Sequence, residues 1–154
     1  MTAGLEFRIN IKAFSDSISF KALAPRLGPH ARVVYEKGET MRTRNGHSTS
    51  LRSDENYLAT VDTTLAGPAS LDRTIREQMA VISGDPALSG LTRSRDGRVY
   101  VSIAIFGHFP RETGSLGIDT GLFGHGVGLM VDNYTILSES GAPQELEIAP
   151  SGRG

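Results

Sequence analysis

The chain has 154 residues, with 16 Lys and Arg against 17 Asp and Glu and a net charge of −1. A field that weak excludes whole-surface steering toward nucleic acid or an anionic membrane. With no cysteine, the chain has no disulfides, no thiolate metal sites and no thiol nucleophile.

Hydrophobic residues make up 38% of the chain and gather in runs, which points to one folded domain over 1–140 with a flexible tail over 141–154. The opening MTAGLEFRINIK carries Glu6 and Arg8 inside its apolar stretch, so no secretory leader is expected there. No run approaches the ~20 apolar residues of a membrane span, so the expected location is the cytoplasm, with no membrane partner.

Leu5, Phe7, Ile9 and Ile11 alternate with Glu6, Arg8, Asn10 and Lys12, the period of a half-buried strand with one solvated face. Ser17 or Ser19 can cap a short helix carrying Phe20, Leu23 and Leu27, kept short by Pro25. Ala31 to Tyr35 reads as a strand. The polar stretch 36–56 balances Lys37, Arg42, Arg44 and Arg52 against Glu36, Glu39, Asp54 and Glu55, and contains Asn45-Gly46, a tight-turn signal. It is read as an exposed hairpin or a long loop.

Tyr57 to Thr63 alternates as a strand. Ser70 then precedes Leu71, Ile75, Met79 and Ile82, spaced for an amphipathic helix that Gly84-Asp85-Pro86 stops. Arg95-Asp96-Gly97 turns into Val99 to Phe106, apolar on both faces like a central strand, which Gly107 and Pro110 end. A weak element follows over 118–123, and Val127 to Leu137 forms the last strand. The order predicts an α+β fold, a mostly antiparallel sheet with two or three helices packed on it and two βαβ-like halves.

Gly121, Gly124, Gly126 and Gly128 resemble a phosphate-cradling loop, but they open a strand where a dinucleotide fingerprint opens a helix. No Gly-Lys-Ser/Thr triplet occurs anywhere in the chain. Gly124 and Gly126 are therefore read as positive-φ turn residues, and Gly128 as a bulge or a point of close packing. No cofactor is expected.

The charged alternating first strand, Leu27-Gly28-Pro29, Lys37-Gly38-Glu39 and the closing strand from Gly126 through Asp132 to Tyr134 together form a recognisable layout. Over residues 5–137 it resembles the bacterial family of uncharacterised proteins called domain of unknown function 4279. The family's usual tryptophan after the lysine–glycine turn is missing, since the chain has no Trp. The resemblance implies the fold and a bacterial source, and no established chemistry. Some small bacterial proteins of this style stand beside toxins as immunity proteins, which implies a binding role.

Two sets of candidate residues emerge. Lys37, Glu39, Arg42, Arg44 and Arg52 crowd the polar stretch, where arginines can grip a partner's acids; a plain solvated loop is the competing reading. His108, His125 and Asp132 flank the Gly-rich turn and can meet if the chain folds back there, forming a ligand, metal or enzyme site. Against that stand too few ligands for a metal and the ordinary exposure of acids. Aromatics do not interleave with the basic residues, so no nucleic-acid platform is expected. The leading expectation is a non-enzymatic bacterial protein that works by protein–protein contact, as an immunity or accessory protein. An exposed sheet edge offers the same chain a route to a homodimer.

Overall fold

The computed structural model describes residues 4–27, 31–43, 45–109, 118, 121, 123, 124 and 126–137. The second-half element expected over 118–123, the tail, Arg44 and His125 lie wholly or largely outside the described residues. The fold is α+β, built on a mixed, mostly antiparallel sheet.

β1 (Glu6–Ser15) is the hub. It pairs antiparallel with β7 (Gly97–Phe109) along its whole length. On its other side it meets two short strands in turn, β5 (Asn56–Thr60) and β6 (Thr63–Leu65). Where those two part, Thr60 fills the gap: its hydroxyl accepts from Ile11 N at 2.9 Å and its carbonyl from Asn10 Nδ2 at 3.3 Å. β2 (Ala31–Tyr35) adds antiparallel to β5, and β8 (Val127–Leu137) adds parallel to β7. Each half therefore contributes one parallel strand pair, β1 with β2 across β5, and β7 with β8 directly. β3 (Thr40–Arg42) and β4 (Ser48–Arg52) form a separate hairpin turning at Asn45-Gly46, where Gly46 has φ 84°.

The helices all pack on one face. α1 (Ala24–Leu27) is a single turn, while α2 (Leu71–Gly84) and α3 (Pro86–Leu91) follow one another with the extended residue Asp85 between them. Phe7, Ile9, Ile11 and Ala13 of β1 meet Val99, Val101 and Ile103 of β7 under Ile75, Ile82, Leu88 and Leu91. Each of these side chains larger than Ala13, once withdrawn from water, contributes roughly 1.5–3 kcal/mol before entropy is subtracted. No helix among the described residues is long and apolar enough to cross a membrane.

Four local expectations need correction. Ser17 and Ser19 do not cap α1, because the intervening segment is spent holding the β1–α1 turn, in which Asp96 accepts from Asp16 N at 3.1 Å and from the Ser17 hydroxyl. Gly84-Asp85-Pro86 ends one helix and starts another: the Asp85 carboxylate accepts from Ala87 N at 2.8 Å with Pro86 in the first turn, an N-cap arrangement. Gly107 does not end β7; the strand continues through Phe109. Gly124 is not among the described positive-φ glycines, whereas Gly126 is, at φ 78°. Gly128 lies flat beneath the Tyr100 ring, where an added Cβ would meet Cδ1 at 2.6 Å.

Candidate functional site

Alternation that buries one phase of β1 puts the other phase on the face the helices leave open. That phase is Glu6, Arg8, Asn10, Lys12 and Phe14. Register sets Asn10 opposite Ser102 and Arg8 opposite Ala104, and sets Ala104 beside Asp132. Ser102 and Ala104 are small, so the middle of β7 forms a low floor between the larger Tyr100 and Phe106. Across that floor Lys12 Nζ reaches toward Asp132 Oδ2, 3.8 Å away. The two side chains are only 21% and 13% exposed, and among the described residues neither has a hydrogen-bond partner.

Aromatic rings wall the two ends. At one, Phe106 and Tyr134 stack with centroids 4.9 Å apart and planes 7° from parallel. The Arg8 guanidinium lies 4.3 Å over the Phe106 ring and pairs with Glu6 at 2.8 Å. At the other end Phe14 packs on Tyr57 at 5.0 Å and edge-on to Tyr100 at 5.9 Å, and Tyr35 stacks on Tyr57. Arg98 sits 5.1 Å over Phe14 and bonds Glu55. Such ring pairs and cation–π contacts are worth ~0.5–1.5 kcal/mol each. Burial pushes the Tyr57 hydroxyl up to about 12, against the opposing pull of the nearby Arg32 charge, so it stays protonated.

Two clefts share the Lys12–Asp132 pair. A shallow one of about 140 Å³ runs toward Arg8, Arg32, Asp62 and Tyr134. A larger one of about 390 Å³ lies beside the β3–β4 hairpin, lined by Phe14, Met41, Arg52, Tyr57 and Met130. The second falls within the size range of ligand-binding pockets.

The two candidate sets from the sequence touch here. Arg52 of the hairpin and Asp132 of β8 line one cleft. Most of this set is committed to holding the hairpin in place: Lys37 pairs with Asp16 at 3.4 Å, Glu39 with Lys21 at 2.5 Å, and Arg52 itself also donates to the Gly38 carbonyl at 2.9 Å. The Lys21 ammonium holds the Glu39 carboxyl below its usual value. Arg42 is exposed, its N–H bound by the Tyr35 hydroxyl at 2.9 Å. His108 lies four residues further along β7 than Ala104, the register partner of Asp132, roughly 13 Å of strand. Its side chain and all of His125 are outside the description. Among the described residues, no three metal-ligating side chains gather.

Sequence reading missed Lys12, Arg8, Arg32 and the aromatic walls. The polar phase of β1 is legible from alternation, but alternation alone gives that phase no neighbour other than solvent. The outer strand β8 bears two further exposed side chains, Leu129 at 39% and Val131 at 47%, on the helix side of the sheet beyond the helices. No family model, no curated protein and no solved structure matches this chain.

Proposed function

We propose that this chain is a protein-binding module whose contact surface is the open face of its sheet, serving in a bacterial cytoplasm as an immunity or accessory protein. One observation carries the reading. All four tyrosines of the chain stand on that face, together with Phe14, Phe106, Arg8, Arg32 and Arg98. The opposite face is packed with aliphatic residues and the phenylalanines Phe7, Phe20 and Phe123. Tyr and Arg are the residue types that interfaces concentrate, because they bring large contact area together with polar handles. A solvated sheet face has no need of six half-buried rings. Kinship to the domain of unknown function 4279 family is part of the same proposal, supported by the short motifs around Leu27, Lys37 and Gly126.

The test is capture from the source cells by immobilised protein, comparing wild type, Arg8→Ala/Tyr134→Ala and the helix-side control Val81→Ala. A partner that binds wild type and control but not the face variant supports the reading. A partner held equally by all three overturns it. A second reading has its own observation: the apolar side chains Leu129 and Val131 on outer strand β8 favour pairing with a second copy. Sedimentation of Val131→Lys against wild type separates the two, since only edge pairing loses a dimer.

A further inference from the structure

The β3–β4 hairpin is a sheet of its own, and no residue of either strand is buried. A two-stranded hairpin alone is marginal in water, so its position depends on what ties it to the rest of the fold. Its root is closed by backbone: Gly38 N donates to the Ser53 carbonyl and Ser53 N to the Glu39 carbonyl, each at 2.8 Å. Among the described residues, three side-chain ties reach it from the body of the fold. They are the ion pairs Lys21–Glu39 and Lys37–Asp16, and the Tyr35 hydroxyl that accepts from Arg42 N at 2.9 Å. All three are exposed to solvent. From Thr43 outward the described hydrogen bonds stay within the hairpin.

This weakly held element stands beside the aromatic end of the open sheet face. Met41 and Arg52 supply the hairpin's wall of the 390 Å³ cleft, and Phe14, Tyr57 and Met130 supply the wall of the sheet. An element with no buried side chain and exposed hydrogen bonds opens far more readily than the core beside it. Exposed ion pairs hold such an element only weakly, and salt loosens them.

We infer that the β3–β4 hairpin is a flap over the aromatic end of the open sheet face, latched by Lys21–Glu39, Lys37–Asp16 and the Tyr35 hydroxyl, and that it swings aside as a unit to admit a partner protein. The opening follows from how the hairpin is held. That it admits a partner rests on the protein-binding reading above.

Amide hydrogen exchange of the full chain, read by NMR, tests the flap without any partner. The amides of Gly38, Arg42, Thr43 and Ser53 are expected to exchange about a hundredfold faster than those of Leu58 and Val101. Lys21→Gln/Lys37→Gln should speed the hairpin amides about three- to tenfold and leave the two core amides unchanged. High salt should do the same to wild type and add nothing in the double variant. Hairpin amides that exchange at the core rate, ignore the double variant, or respond to salt equally in both proteins overturn the inference.

Partner capture from the source cells separates this from the surface reading. The double variant is expected to bind the partner more tightly, by the same factor that its hairpin opens more often. If it captures only as wild type does while Arg8→Ala/Tyr134→Ala abolishes capture, the flap falls and the surface reading stands. If Arg8→Ala/Tyr134→Ala captures as wild type does, the surface reading falls and the exchange result alone decides the flap.

Discussion

The Lys12 ammonium and the Asp132 carboxylate approach to 3.8 Å over the low floor that Ser102 and Ala104 make in β7. A pair that close, shielded and not hydrogen-bonded is weak support for folding. Removing one member strands the other, so Lys12→Met or Asp132→Leu alone should lower unfolding free energy by about 1–3 kcal/mol. The double variant should match or exceed wild type. Urea unfolding of the four proteins checks this, and a double variant less stable than both singles would contradict it.

Tyr57 gives a test in alkali. Its hydroxyl is pushed from the ordinary 10.0 up to about 12 by burial. A raised acid favours the neutral form in the folded state, so its contribution is complete below pH 10 and disappears as pH rises to 12. Across that window wild type should lose about 2 kcal/mol relative to Tyr57→Phe, from ~1.4 kcal/mol per unit discounted for partial exposure. Stability curves at pH 9 and 11.5, in roughly those conditions, check the gap. Parallel curves would rule out the buried phenol.

Asp96 gives the acid counterpart. Hydrogen bonds from Ser17, Ser15 and the Asp16 and Ser17 amides hold its carboxyl below the ordinary 3.8. A depressed carboxyl stabilises the fold above that value, and the benefit is lost as pH falls through the folded one. Asp96→Asn should therefore melt below wild type at neutral pH, and the two midpoints should converge in acid. A gap independent of pH would show that geometry, and not charge, holds the turn.

Asp85 caps α3 through Ala87 N and Leu88 N and also pairs with Arg26 at 3.0 Å. Asp85→Ala should cost about 0.5–2 kcal/mol, mostly from the lost cap. Arg26→Ala should cost less, since exposed pairs contribute little. Equal losses would assign the effect to the ion pair instead.

What the sequence made legible follows period and punctuation. β1, β7 and α2 are legible through alternation or helical spacing because each has one strongly buried phase, and β8 through its run of strand-forming residues, although no described residue of it is fully buried. α3 was hidden since Asp85-Pro86 reads equally as a stop and as an N-cap with proline behind it. The site was half legible: Asp132 stood out as an acid in an apolar strand, but Lys12 was lost in an ordinary polar phase. Nothing local ties Lys12 to Asp132; strand order does, by placing β7 between β1 and β8. The aromatic walls were invisible for the same reason, since Phe106 and Tyr134 meet only through the parallel register.

The central claim is that the open sheet face meets a protein, and photo-crosslinking in the source cells tests it most directly. A photoreactive residue is placed at Arg98 or Met130 on the open face, at Val81 on α2, or at Val131 on the outer strand. Adducts of one partner mass from the first two positions, and none from Val81, are the predicted result. Adducts confined to Val81 or Val131 would contradict it and move the contact to the helix side or the sheet edge.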